Sequence, residues 1–180
     1  MTEELRIRKL VSVFSPEQIA GRVRAMAGEI DAQYGDEPLI AICVLKGACI
    51  FFSDLVRCLH NKNLELDFIR LASYGTGTTS SGQVVLRKDV ENDLRDKHVL
   101  LVEDIVDSGR SMRFVLDAFA ARGPRSLRLA ALVDKTGRRD TEVSVDFSGF
   151  SVESGFLVGY GLDYAERYRG LPGICEIVPE

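Results

Sequence analysis

The sequence predicts an α/β protein: one domain built on a mainly parallel sheet with helices on its faces. Three observations lead there. Short, nearly unbroken apolar runs recur at residues 38–45 (PLIAICVL), 98–102 (HVLLV) and 127–133 (LRLAALV), as strands covered on both faces require. Segments with helical spacing lie between them, and strands alternating with helices imply a parallel sheet. The 180 residues, 46% hydrophobic and 28% charged, suffice for one core, with no internal repeat, linker or low-complexity tract to divide it.

After an extended opening, Ser15-Pro16-Glu17 reads as an N-cap, a proline at the first helical position and an early acid. Ile19, Ala20, Val23 and Met26 follow at helical spacing, and the helix ends near Tyr34-Gly35. The run at 38–45 is a strand; Lys46-Gly47 turns it into an apolar helix reaching about Leu59. Residues 64–74 are rich in β-formers and lead into GTGTTSSG (75–82), which has too little apolar surface to pack and is expected to be a mobile loop. A strand resumes at 84–86, another occupies 98–102, a helix spans 109–121 and stops at Gly123-Pro124, and a third buried strand covers 127–133. Ligands of such a sheet bind beyond the carboxyl ends of its strands.

A net charge of −4 gives no general basic field, so nucleic acid is not an indicated partner. Cys43, Cys49, Cys58 and Cys175 are irregularly spaced, and only His60 and His98 offer imidazoles, which argues against a zinc site. Cys43 and Cys49 fall in apolar surroundings, as reduced buried cysteines do. The opening MTEELRIRKL has no apolar core, and no stretch approaches the roughly 18 apolar residues of a membrane span. A soluble, cytoplasmic protein is expected.

The chemistry concentrates in VEDIVDSGRSM (102–112). A buried strand delivers Glu103, Asp104 and Ile105, then turns through Asp107, Ser108, Gly109, Arg110 and Ser111 into a helix. Free N–H groups at a helix start, a glycine allowing close approach and two hydroxyls make an anion cradle. Three carboxylates within that stretch would repel a phosphate unless they face something else, such as a ribose diol or a cation carried by the ligand. Taken alone, Ser108 could equally be an N-cap and Asp107 a turn acid.

These residues resemble the type I phosphoribosyltransferases, whose motif for phosphoribosyl pyrophosphate is an apolar strand, two acids and a small-residue loop. Within that family the likeness is closest to the hypoxanthine-guanine branch, because VLKG (44–47), DFIRLASYG (67–75), VDK (133–135) and FLVGYGLDYAERYRGL (156–171) stand in the expected order. The resemblance implies the type I fold, with a small hood formed by the N- and C-terminal segments and a flexible active-site loop. It implies transfer of the phosphoribosyl group to hypoxanthine or guanine, giving IMP or GMP and pyrophosphate with Mg2+, by a homodimer or homotetramer.

By the same resemblance, Glu103 and Asp104 take the ribose hydroxyls and, with Asp163, lie near the metal. Residues 107–111 hold the 5-phosphate, and Asp107 is the general base toward purine N7. Lys135, which can only donate, suits a 6-oxo acceptor and opposes the amino group of adenine. Phe156 stacks on the base beside Leu157. Leu45, Lys46 and Gly47 form a cis-peptide loop whose N–H groups hold pyrophosphate, and Arg169 reaches the same anion. Ser73 and Tyr74 begin the closing loop. Without the resemblance, Lys135, Asp163 and Arg169 read as surface charges and Phe156 as a core ring.

Other readings fit less well. A receiver domain would carry its acid pair near the start of the chain; GTGTTSSG is followed by the strand-like QVVLR rather than a dinucleotide-binding helix; and no G-x-x-x-x-G-K-[ST] is present. A regulator on the same scaffold, like the pyrimidine-operon attenuation proteins, would need a basic face, for which Arg122, Arg125, Arg128, Arg138 and Arg139 are the candidates. A xanthine-preferring enzyme is the remaining variant.

Overall fold

The computed structural model describes residues 9–74 and 83–178. Strand β1 (Lys9–Phe14) runs into Ser15, which caps helix α1 (Pro16–Tyr34). Ser15 Oγ accepts from the Gln18 N–H and Gln18 Oε1 accepts from the Ser15 N–H, so two end groups are satisfied at once, with Pro16 at the first helical position.

Strand β2 (Leu39–Leu45) is the first apolar run, and helix α2 (Cys49–Cys58) follows it. Strands β3 (Leu64–Tyr74) and β4 (Gln83–Lys88) pair antiparallel, with Ser73 and Tyr74 opposite Val84 and Gln83; the loop read at 75–82 lies outside the described residues. Strand β5 (His98–Val106), helix α3 (Arg110–Ala120) and strand β6 (Ser126–Lys135) come next, then β7 (Phe147–Val152), β8 (Leu157–Val158) and β9 (Ile174–Val178).

The main sheet has the order β4-β3-β2-β5-β6-β7, parallel except for the antiparallel edge strand β4. Alternation along β2 explains its unbroken apolar run. Leu39, Ala41 and Cys43 pack under α1 and α2 with Ile19, Met26, Phe51 and Leu55, whereas Ile40, Ile42 and Val44 pack on the opposite side with Val115 and Phe119 of α3. A second sheet, β1-β9-β8, is antiparallel and brings the two ends of the chain together; Leu157, Tyr160, Leu162 and Ile174 join it to the α1–α2 core.

The fold expectation holds, with helix and strand limits shifted by a few residues. One expectation is corrected. Cys43 is buried, but Cys49 is exposed, because it opens α2 on the outer side of the turn after β2. No described helix is long and apolar enough to cross a membrane.

Candidate active site

The carboxyl ends of β2, β5 and β6 present three short segments side by side. After β2 comes Leu45-Lys46-Gly47, with the Leu45–Lys46 peptide cis. Gly47 is glycine for a steric reason: a Cβ there would lie 1.7 Å from Asp104 Oδ2. The carboxylate of Asp104 thus rests directly on the β2 turn. On the other side, a Cβ at Gly161, whose φ is +104°, would meet the Gly47 carbonyl at 2.1 Å, so the turn is held between β5 and the 159–171 segment.

Glu103 and Asp104 are buried within β5 rather than following it. Asp104 Oδ1 accepts from the Ile105 N–H at 2.8 Å. The Glu103 carboxyl is held well above the ordinary carboxylate range, first by burial and then by the adjacent charge of Asp104. A cation or a pair of hydroxyl donors would relieve that cost.

Beyond Val106 the chain turns through Asp107 and Ser108 to Gly109, whose left-handed backbone (φ +87°) starts α3. Ser108 is not the helix cap. Gly109 occupies that position without a side-chain bond, and in the first turn of α3 the Arg110 N–H donates to Ser108 Oγ at 3.5 Å. Arg110 pairs with Asp140 at 2.5 Å on the rim. A cavity of about 290 Å³ is lined by Glu103, Asp104, Ile105, Asp107, Ser108, Gly109 and Ser111, with Val44, Leu71 and Met112 as its apolar wall.

A second cavity, of about 370 Å³, adjoins it through Asp104, Ile105 and Asp107, and is completed by Lys135, Arg138, Phe156, Leu157 and Asp163. Lys135 ends β6 and is only 5% exposed, so it is no solvated lysine; its Nζ donates to Asp107 Oδ2 at 3.4 Å. The other oxygen, Asp107 Oδ1, is buried with no hydrogen-bond partner among the described residues. Phe156 is half exposed, held edge-to-face by Tyr164 at 5.5 Å, and is not a core ring; Leu157 beside it is buried.

Arg169 donates to the Gly161 carbonyl at 2.7 Å and pairs with Asp163 Oδ1 at 2.7 Å, while Asp163 Oδ2 accepts from the Glu166 N–H. The expected gathering of Glu103, Asp104 and Asp163 is therefore not formed: Asp163 is already satisfied by Arg169 and by backbone, and no group of three metal-ligating side chains occurs among the described residues.

Sequence reading missed two residues. Arg139, taken as one of a scattered set, donates to the carbonyls of Val106, Asp107 and Val143 and pairs with Asp134, tying the turn that opens α3 to the end of β6. Glu166 contacts Lys46 and Arg169. Nothing local in the sequence marks either one. The basic face fails as well: Arg122 pairs with Asp89, Arg125 with Glu37 and Arg128 with Asp146, and Arg138 lines the second cavity.

Residues 12–165 match the model of the phosphoribosyl transferase domain. The chain is 40% identical over 167 residues to hypoxanthine-guanine phosphoribosyltransferase of Bacillus subtilis, covering 93% of this chain and 92% of that protein. It is 38% identical over 175 residues to hypoxanthine phosphoribosyltransferase of Escherichia coli, covering 96% and 98% respectively. The crystal structure of a hypoxanthine phosphoribosyltransferase from Staphylococcus aureus superimposes with a TM-score of 0.90 at 31% identity, over 99% of this chain and 97% of that one. With fold, site order and sequence in agreement along nearly the whole chain, the protein belongs to the phosphoribosyl transferase family, in its hypoxanthine-guanine branch.

Proposed function

We propose that the protein transfers the 5-phosphoribosyl group of phosphoribosyl pyrophosphate to hypoxanthine or guanine, releasing pyrophosphate and yielding IMP or GMP. The observation that carries this reading is the pairing, across one cavity, of a buried lysine with an aspartate whose second oxygen has no donor. Lys135 offers hydrogens to an exocyclic oxygen. Asp107 Oδ1 is an acceptor waiting for a donor, as N7–H of a 6-oxopurine would be, and taking that proton lets the ring attack C1′ without building positive charge. Adenine would set its amino group against the Lys135 ammonium. Phe156 supplies the stacking face and Leu157 the apolar floor.

In this reading the turn from Asp107 to Ser111 holds the 5-phosphate on the N–H groups of α3, Ile105 and Arg110 flank it, and Glu103 and Asp104 accept from the ribose hydroxyls. The Leu45-Lys46-Gly47 turn and Arg169 bind the pyrophosphoryl end, and Ser73 and Tyr74 border the site from β3. Mg2+ fits as an ion delivered with the substrate. Such an ion needs only one or two carboxylates beside phosphate oxygens, and the crowded pair Glu103 and Asp104 is suited to it, with Asp163 in reserve behind Arg169. When bound, it neutralises charge on the leaving pyrophosphate. The β1-β9-β8 sheet serves as the hood of a single catalytic domain, and we place the protein in the cytoplasm as a homodimer or homotetramer.

Incubation with Mg2+ and phosphoribosyl pyrophosphate against hypoxanthine, guanine, xanthine, adenine and uracil tests the reading. IMP and GMP are expected. Turnover of uracil, or salt-sensitive RNA binding without purine turnover, would overturn it; a dominant xanthine rate would replace the base assignment alone. Repeating the panel with Lys135→Gln should raise the share of adenine used, because an amide both donates and accepts.

A further inference from the structure

One carboxylate joins Arg169, assigned above to pyrophosphate, to the ammonium of Lys46, whose backbone turn is assigned to the same anion. Glu166 Oε2 lies 2.9 Å from Lys46 Nζ and 3.4 Å from an Arg169 terminal nitrogen, joining the β2 turn to the 159–171 segment. Its side chain reaches there because the turn aims it. Ala165 and Glu166 both adopt left-handed backbone (φ +50° and +65°), Tyr164 and Arg167 bridge across the loop, and Asp163 accepts from the Glu166 N–H. A carboxylate oxygen shared by a lysine and an arginine is the same kind of anionic acceptor as a terminal phosphate oxygen.

We propose that Glu166 is an internal stand-in for pyrophosphate: in the protein alone it keeps Lys46 and Arg169 facing each other, and the pyrophosphoryl end of the substrate must displace it to bind. This rests on the assignment of Arg169 and the Lys46 turn to pyrophosphate, and adds the Lys46 ammonium to that subsite. Glu166 is 64% exposed and Lys46 50%, so the contact is weak and screened, as a contact that yields to ligand must be. A pyrophosphate with several formal charges outcompetes a single carboxylate for the same two donors. The arrangement restrains two flexible side chains beforehand and sets a threshold that weakly charged anions do not pass.

The test is titration calorimetry of wild type, Glu166→Gln, Lys46→Met and Arg169→Met with magnesium pyrophosphate and, separately, with IMP. Glu166→Gln is expected to bind pyrophosphate roughly three- to fivefold more tightly at low salt, with the gain shrinking as salt rises and with IMP affinity unchanged, since IMP lacks the pyrophosphoryl end. Unchanged or weaker pyrophosphate binding by Glu166→Gln, in a protein where Lys46→Met and Arg169→Met do weaken it, overturns the stand-in alone. If neither cation variant alters pyrophosphate binding, the assignment of that subsite falls and the stand-in falls with it.

Discussion

The two oxygens of Asp107 have different surroundings: one faces the ammonium of Lys135 and the other is buried without a partner among the described residues. A carboxylate so divided has one oxygen engaged by a cation and the other open to a proton donor on a ligand. Asp107→Asn preserves the shape and removes the basicity. Its turnover number should fall by about 10²–10⁴, with little change in affinity for phosphoribosyl pyrophosphate, because the 5-phosphate is held by backbone N–H groups. Steady-state kinetics over both substrates checks this, and an unchanged turnover number removes Asp107 from the role of base. At this scale the sequence was informative where neighbours in the chain are neighbours in space. Glu103, Asp104 and Asp107 could be read as a unit because β5 and its turn deliver them together. Glu166 could not, since it meets Lys46 from 120 residues away.

Whole elements differ in the same way. Strands β2, β5 and β6 announce themselves because both faces are covered, so each carries a nearly unbroken apolar run. Strand β7 lies at the sheet edge and carries FSGFSV, half covered, with Gly149 so close to β6 that a Cβ would meet the Leu132 carbonyl at 2.3 Å; β8 is two residues long. Neither produces a periodic signal. The edge pair β3 and β4 depends on one buried acid. Asp67 accepts from the N–H groups of Phe68, Glu91 and Asn92 at 2.7, 2.8 and 3.0 Å, with Lys88 at 3.7 Å, and so anchors the chain leaving β4. Burial pushes its carboxyl up, but the backbone donors and Lys88 together outweigh it and hold it below the ordinary range. A lowered native value means stability that is present above the unfolded pKa and is lost as pH falls through the native one. Asp67→Asn should cost about 1.5–3 kcal/mol at pH 7, and its difference from wild type should shrink below about pH 4. Urea melts across that range measure it, and a difference independent of pH would contradict it.

For the molecule as a whole, composition and periodicity did not reveal that β1 pairs with β9. The reason is that the β1-β9-β8 sheet is made of pieces too short to stand alone, stabilised only by pairing and by Leu157, Tyr160, Leu162 and Ile174 entering the main core. Removing residues 174–180 should therefore do more than trim an end. It takes β9 from between β1 and β8, uncovers that side of the core, and is expected to abolish purine turnover and lower the melting temperature well beyond any single site substitution; a truncated protein that melts and turns over like the full chain would refute it. The register that pairs Lys9 with Val178 also bears on synthesis. On the ribosome, β1 is made before any strand of the main sheet and its partner β9 only after all of them, so the sheet between them is delivered first. A chain made only as far as β7 can thus hold a formed turn at 107–111 before β9 has joined β1 to β8.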